Sequence, residues 1–205
     1  MTTGLFITFE GIDGAGKSTQ LDYAASYLRN QKKDIVQTRE PGGTPFSEKL
    51  RDMILKAKQP LESDTEVLLM FAARNEHIAR VIRPALYCGS IVICDRFTDA
   101  TFAYQGGGSG VSSSRIETLE TWVQGNLQPD LTFFFDLPIL AAQRRLGKRK
   151  KDRFESETMN FHERVRQGYL TRATQYPGRI KIIDSSRNKS QIREMVQIEL
   201  DRLCN

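Results

Sequence analysis

The chain has 205 residues, of which 39% are hydrophobic and 27% charged, and its formal net charge is +5. This length suits one domain over residues 1–205, and the modest positive charge allows an anionic partner without choosing between a nucleotide, a nucleic acid and a membrane. The three cysteines lack C-x-x-C spacing and no apolar run approaches roughly 18 residues, which argues against a disulfide framework, a zinc site and a membrane helix, so we expect a cytoplasmic protein.

Short apolar runs rich in β-branched or aromatic residues predict buried strands, in chain order, at 5–9, 34–38, 90–94, 131–137 and 179–184. Between them, apolar residues recur at three- and four-residue steps, most clearly at 46–57, 68–86 and 192–203. This alternation of strands and helices predicts an α/β fold with a parallel sheet and helices on both faces. Two segments interrupt the pattern: the glycine-rich 105–110 and the basic 144–153.

A glycine-rich segment, GIDGAGKS at 11–18, follows the first predicted strand and matches the pattern G-x-x-x-x-G-K-[ST]. In such a loop, bare backbone N–H groups and the positive end of the next helix bind phosphate oxygens. The Lys17 ammonium would reach the β- and γ-phosphates, and the Ser18 hydroxyl would ligate Mg²⁺. Its place between a strand and a helix distinguishes the loop from a chance glycine turn. We therefore predict a site for ATP and Mg²⁺ formed by Gly11, Asp13, Gly14, Ala15, Gly16, Lys17, Ser18 and Thr19.

Two acidic residues stand out near this loop. Asp13 lies inside it, where a carboxylate repels phosphate, so we expect it to face a hydroxyl of a second substrate; the alternative is a solvated Asp that merely favours the turn. Asp95 ends the third strand, a position that suits a second Mg²⁺ ligand, direct or through water. Arg96 follows it, either in a local ion pair or as a clamp on a substrate phosphate.

Five segments together resemble the thymidylate kinase family of the bacterial type: FEGIDGAGKST (9–19), TREPGGT (38–44), LLMFAAR (68–74), DRFTDATFAYQGGG (95–108) and DRFE (152–155). They follow the family's order and span nearly the whole chain. The resemblance implies a three-layer P-loop kinase fold with a five-stranded core and a short basic lid at about 144–156. It also implies a homodimer that transfers the γ-phosphoryl group of ATP to dTMP, with neither nucleic acid nor membrane as a partner.

The resemblance further implies a dTMP site. Arg96 and Arg51 would grip the phosphate, Asp13 would meet the 3′-hydroxyl of the sugar, and Arg74 would donate to a thymine carbonyl. In the family an aromatic residue stacks on thymine four residues before this arginine. The chain has Met70 at that position and Phe71 one residue later, so either side chain could cover the base. Phe71 could instead belong to the core.

Three residues of the DRF segment complete the implied dTMP site. Thr101 and Gln105 would meet the polar edge of the base, and Tyr104 would crowd the 2′ position and disfavour ribonucleotides. The alternatives are a helix-surface position for Thr101 and a place beside a glycine turn for Tyr104 and Gln105.

The basic segment 144–153 carries seven Lys or Arg residues, and as a charge run it could be a solvated helix face. In the family a lid at this place supplies an arginine to the transition state, for which Arg149 is our first choice and Arg153 our second. Catalysis would then depend on Lys17, Arg96, Mg²⁺ and a lid arginine. No general base is needed, because the attacking phosphate oxygen of dTMP is already ionised near neutral pH.

Other P-loop activities remain alternatives: a kinase for another monophosphate or for a deoxynucleoside, a nucleic-acid-dependent ATPase, and a nucleotide sensor. A GTPase switch is disfavoured, because the Asn-Lys pair at 188–189 lacks the Asp of the guanine motif Asn-Lys-x-Asp. His77 and His162 have no matching catalytic partners in the sequence, so we expect them to be surface or packing residues.

Overall fold

A computed structural model describes residues 4–57, 59–147 and 152–204. Its centre is a five-stranded sheet in the order β2-β3-β1-β4-β5, in which every neighbouring pair is parallel. The strands are β1 (Phe6–Glu10), β2 (Ile35–Arg39), β3 (Ile91–Asp95), β4 (Leu131–Asp136) and β5 (Ile180–Asp184). The parallel α/β sheet predicted from the sequence is confirmed.

Helices connect the strands and cover the sheet. They are α1 (Lys17–Asn30), α2 (Pro45–Leu55), α3 (Ser63–His77), α4 (Arg83–Tyr87), α5 (Thr98–Thr101), α6 (Ser113–Gln124), α7 (Ile139–Leu146), α8 (Met159–Gln175) and α9 (Lys189–Cys204). A π-helical turn, Ile78–Ile82, joins α3 to α4, and α5 continues into a π-helical segment, Phe102–Gly108. Within the described ranges, no helix has the length and apolar character needed to cross a bilayer.

The three central strands, β1, β3 and β4, are buried on both faces, as their continuous apolar runs predict. The same prediction is wrong for the two edge strands: β2 has no buried residue, and Ile182 of β5 is 48% exposed, because each edge strand has a neighbouring strand on one side only. Ile7 and Phe9 of β1 pack into one apolar cluster, whereas Phe6, whose side chain points to the opposite face, packs into another. β3 behaves in the same way, with Ile93 in the first cluster and Cys94 in the second. Apolar clusters on both faces of the sheet therefore pack against β1 and β3. This packing fixes the positions of the carboxyl ends of the two strands.

Only some of the apolar residues that recur with helical periodicity are buried in the core. On α2, Leu50 and Ile54 are buried, whereas Phe46 and Met53 are 54% and 59% exposed. On α3, Leu68 is 55% exposed. These three apolar side chains share the predicted stripes but have no covering element among the described residues.

The π-helical segment Phe102–Gly108 lies close against α8. A Cβ atom at Gly107 would come within 2.7 Å of the backbone oxygen of Arg164, and one at Gly168 within 2.8 Å of the Cα of Ala103. Glycine is therefore required for this approach, and the segment is a helix rather than the glycine turn considered from the sequence. A π-helical widening often marks a functional site, and here it carries Tyr104 and Gln105.

Candidate active site

The phosphate loop lies between β1 and α1, as the motif predicts. Gly16, directly before the helix, has φ 91° and ψ 13°, a left-handed conformation that glycine adopts without strain. Gly11 and Gly14 also have positive φ. The loop residues Ala15 and Thr19 lie with them, Ala15 buried and Thr19 exposed. The conformation leaves the first N–H groups of α1 available to an anion.

Lys17 is the buried cation of this loop, with 5% of its side chain exposed. Its Nζ donates to the backbone oxygen of Ile12 over 3.1 Å and lies 3.9 Å from Asp13 Oδ1. Burial, followed by the nearby charge of Arg96, lowers the pKa of the Lys17 ammonium. A polyanionic ligand beside it would favour the charged form and compensate for this desolvation.

A cleft opens beside the loop, at the carboxyl ends of the strands. This is a usual place for a small-molecule site in an open α/β fold. Most of the residues predicted to bind the second substrate line it: Asp13, Arg51, Met70, Arg74, Arg96, Thr101, Tyr104 and Gln105. Glu40, Pro41, Leu55, Phe97, Ala100, Asp152 and Phe154 complete the wall.

Arg96 connects the cleft to the phosphate loop. Its Nη2 donates to Asp13 Oδ1 over 2.9 Å, to the backbone oxygen of Gly11 over 3.3 Å and to the Tyr104 hydroxyl over 3.2 Å. Its φ of 67° is a strained backbone conformation for a residue other than glycine. Because its contacts go to Asp13 and the loop, the local ion pair with Asp95 considered from the sequence is not what holds it.

A buried carboxylate fixes the backbone that carries Arg96. Glu10, at the end of β1, accepts from the Phe97 N–H over 2.6 Å and from the Tyr169 hydroxyl over 3.0 Å. Desolvation, together with the charge of Asp99, raises the pKa of Glu10 to about 8. Burial acts to raise the pKa of Asp99 as well, but the hydrogen bonds and charges of Arg179 and Arg172 lower it.

Arg74 is a second arginine of the cleft wall. Its Nε donates to Glu40 Oε2 over 2.7 Å and its Nη2 to Thr101 Oγ1 over 3.0 Å. Both Arg74 and Glu40 are buried, with 3% and 4% exposure. The remaining nitrogen, Nη1, is buried and has no hydrogen-bond partner among the described residues. The arginine thus has an unused donor at a residue that lines the cleft.

Glu40 is held in turn by a buried histidine. His77 Nδ1 donates to Glu40 Oε1 over 2.9 Å, because a carboxylate can only accept, and Nε2 contacts Thr38 Oγ1 at 2.7 Å. His77 is fully buried, so it is a packing residue rather than a surface residue. Its aligned hydrogen bonds fix the carboxylate that orients Arg74.

Met70 and Phe71 have different environments. Met70 lines the cleft, whereas Phe71 is 2% exposed and packs with Val67, Phe102, Val111 and Ile116 outside it. The guanidinium carbon of Arg74 lies 4.7 Å from the centre of the Phe71 ring. Phe71 therefore packs behind Arg74, and Met70 is the one of these two side chains that lines the cleft.

Arg51 and the two predicted metal ligands lie at other edges of the site. Arg51 Nη1 donates to the backbone oxygen of Pro41 over 2.9 Å and leaves the rest of its guanidinium at the cleft. Ser18 and Asp95 together line a second opening. Asp95 Oδ1 is buried without a hydrogen-bond partner among the described residues, so Asp95 has an oxygen acceptor that no described donor uses.

The predicted lid falls partly outside the described residues. Arg149 lies outside them, within 148–151, whereas Arg144 and Arg145 lie in the last turn of α7. Arg145 Nη2 donates to the backbone oxygen of Ser185 over 2.8 Å. Arg153 forms an ion pair with the buried Glu66, and its guanidinium lies over the ring of Phe154. These contacts do not bring Arg153 to the phosphate loop.

Four residues that support the site were not predicted from the sequence as site residues. They form hydrogen bonds or ion pairs with the cleft residues or with the backbone and side chains next to them: Glu10, Glu40, Glu66 and His77. Glu40 and Glu10 could have been suspected, since each ends a strand or follows one directly at the carboxyl edge of the sheet, beside the segments that carry the motifs. Glu66 and His77 sit within the helical run of α3, and nothing in their spacing separates them from exposed polar residues.

Comparisons with known proteins agree with this geometry. The family model described as thymidylate kinase matches residues 9–196. The thymidylate kinase of Cupriavidus pinatubonensis is 58% identical over 98% of both chains. That of Nitrosomonas eutropha is 53% identical over 97% of this chain and 93% of the relative. The crystal structure of thymidylate kinase from Ehrlichia chaffeensis superposes with a TM-score of 0.80 at 37% identity, covering 97% of this chain and 99% of the other.

Proposed function

The chain belongs to the thymidylate kinase family, and from this premise we propose which of its residues perform each part of the reaction. The enzyme phosphorylates dTMP with ATP. No observation favours a different monophosphate, a nucleic-acid-dependent ATPase or a sensor.

dTMP occupies the cleft between Arg74 and Arg96. The observation that carries this proposal is the unpartnered, buried Nη1 of Arg74, a residue that lines the same cleft as the Arg96–Asp13 pair beside the phosphate loop. A thymine carbonyl would satisfy the buried donor, which otherwise costs free energy. The dTMP phosphate then lies toward Arg96, within reach of the loop.

The other cleft residues take the remaining parts of dTMP. Asp13 accepts from the 3′-hydroxyl, Tyr104 fills the space at the 2′ position, and Met70 covers the base. Thr101 Oγ1 accepts from Arg74, which leaves its hydroxyl proton for the base. Arg51 adds a second positive charge for the dTMP phosphate.

ATP lies on the phosphate loop, with its β- and γ-phosphates at the backbone N–H groups of the glycines and at the Lys17 ammonium. A dTMP phosphate oxygen attacks the γ-phosphorus in line, and the bond to the β-phosphate oxygen breaks. Catalysis consists of positioning the two anions and neutralising their charge, to which Lys17 and Arg96 contribute. A lid arginine, Arg149 as first choice, adds a further charge in the transition state.

Ser18 and Asp95 would hold Mg²⁺. The hydroxyl and carboxylate oxygens are of the type that Mg²⁺ prefers, and the buried, unpartnered Oδ1 of Asp95 fits a bound cation or its water. The ion, when bound, neutralises phosphate charge during the transfer.

We also propose a homodimer. Its support is the group of exposed apolar side chains on α2 and α3, two helices that pack against each other: Phe46, Met53 and Leu68. Light scattering after size exclusion would measure the mass of the particle, which is 23.3 kDa for one chain.

A phosphoryl-transfer assay tests the function. Purified protein is offered ATP·Mg²⁺ with dTMP, dUMP, dCMP, AMP or thymidine, and the products are separated. We expect dTDP as the main product. Preference for another acceptor, or ATP hydrolysis stimulated by DNA without an acceptor, would overturn the assignment.

A further inference from the structure

Glu66 lies on α3, the helix that also carries Arg74, and is not part of the cleft wall. Only 1% of its side chain is exposed. A buried carboxylate is costly unless it is paired and hydrogen-bonded. Two partners reach it from distant parts of the chain, one for each oxygen: Gln105 and Arg153.

The first partner is part of the cleft. Gln105 Nε2 donates to Glu66 Oε1 over 2.7 Å. Because a carboxylate has no proton to donate, this bond determines which way the Gln105 amide faces. Gln105 lines the cleft and its NH₂ group is held by Glu66, so its amide oxygen is the atom left for a ligand. An acceptor at this place suits the N3–H of thymine and mismatches cytosine, whose N3 is itself an acceptor.

The second partner fixes the carboxylate. Arg153 pairs with Glu66 Oε2 and its guanidinium carbon lies 5.1 Å from the centre of the Phe154 ring. Phe154 lines the cleft and meets the Tyr104 ring edge-on at 5.6 Å. Arg153 therefore holds Glu66 in the orientation that Gln105 requires, and it does so from the segment that follows the basic stretch.

We propose that Glu66, held by Arg153, is a positioning residue for base selection, which fixes the Gln105 amide with its oxygen toward the cleft and so favours thymine over cytosine. The inference rests on the proposed dTMP site and deepens it. It also gives Arg153 a role at the base, in place of the role at the transferring phosphoryl group predicted from the sequence.

The first test is Glu66→Gln, with Glu62→Gln as the control at the N-cap of the same helix, where Glu62 is exposed and its side chain makes no capping hydrogen bond. A glutamine at 66 can offer either an oxygen or an NH₂ group, so the Gln105 amide is free to turn. We expect KM for dTMP to rise about tenfold to a hundredfold while kcat stays within about threefold. The ratio of kcat/KM for dTMP over dCMP falls, and the control changes neither quantity.

A merely structural role gives a different result. Loss of folded enzyme lowers the apparent kcat but leaves KM and the dTMP/dCMP ratio as in the wild type, and that outcome overturns the inference. If the wild type phosphorylates dTMP and Glu66→Gln keeps its selectivity, the inference fails and the proposed function stands. A wild type without dTMP kinase activity refutes the proposed function itself.

A second variant, Arg153→Gln, tests the proposal if Glu66→Gln does not fold. Arg153→Gln is expected to raise KM for dTMP several-fold and to lower the dTMP/dCMP ratio. Added to Glu66→Gln, it causes little further change, because the two residues act through one contact. A transition-state arginine would instead lose about 10³–10⁵ in kcat when replaced, and such a loss in Arg153→Gln would contradict the proposal.

Discussion

Asp13 Oδ1 and Arg96 Nη2 lie 2.9 Å apart, and this contact joins the phosphate loop to the cleft beside it. Asp13 belongs to the loop after β1 and Arg96 follows β3, the strand next to β1 in the sheet. The register between these strands therefore determines how the phosphate loop and the cleft lie relative to each other.

Lys17→Ala removes the buried ammonium of the loop. We expect kcat to fall by several orders of magnitude, because the charge that neutralises the phosphates is lost in a site with little water. Binding of dTMP, measured by calorimetry without ATP, should stay nearly unchanged. Lys49→Ala, on the exposed side of α2, is the control. Near-normal turnover of Lys17→Ala would refute the role of the loop.

Arg74→Lys keeps the charge but loses the three-directional guanidinium. A lysine cannot pair with Glu40, bond Thr101 and donate into the cleft at once, so we expect KM for dTMP to rise by about tenfold to a hundredfold. Arg80→Lys, whose parent side chain is 74% exposed, should behave like the wild type. An unchanged KM in Arg74→Lys would show that the base lies elsewhere.

Two substitutions distinguish the roles of Met70 and Phe71, because one should affect KM for dTMP and the other the stability of the fold. Met70→Ala removes a side chain from the cleft wall, so KM for dTMP should rise about tenfold with little change in melting temperature. Phe71→Leu alters a buried packing residue and should cost about 1–2 kcal/mol in the free energy of unfolding, with KM much less affected. The reverse pattern would place Phe71 against the base.

Glu10 predicts a pH dependence of stability. Its pKa is raised to about 8 in the folded chain, against 4.5 as the ordinary value. Between these values the unfolded chain has released the proton and the folded chain retains it, so stability falls as pH rises, by at most about 1.4 kcal/mol per unit. The charged or titratable groups that act on this carboxyl are Asp99, Arg96, Tyr169, Lys17 and Arg179.

Glu10→Gln mimics the protonated carboxyl and can still accept from the Phe97 N–H. We expect the decline in melting temperature between pH 5 and pH 8 to be shallower in this variant than in the wild type. Glu199→Gln, on α9, is the control and should keep the wild-type slope. Equal slopes in wild type and Glu10→Gln would contradict a raised pKa.

The sequence predicts those parts of the site whose positions depend on the backbone alone. The loop at Gly11–Ser18 follows from glycine positions, and Asp95 and Arg96 follow from the end of a buried strand. It does not predict the pairing of Glu66 with Gln105, 39 residues away, because a glutamate in a helix ordinarily faces water. Likewise the stripe containing Phe46 and Met53 predicted burial, but periodicity does not say whether a neighbour covers the stripe.

A crystal structure of the enzyme with dTMP would show directly where the nucleotide binds. We expect the thymine ring against Met70, a base carbonyl within hydrogen-bond distance of Arg74 Nη1, and the dTMP phosphate at Arg96 beside the Lys17 loop. A nucleotide bound outside this cleft, with Arg74 Nη1 still lacking a partner, would contradict it.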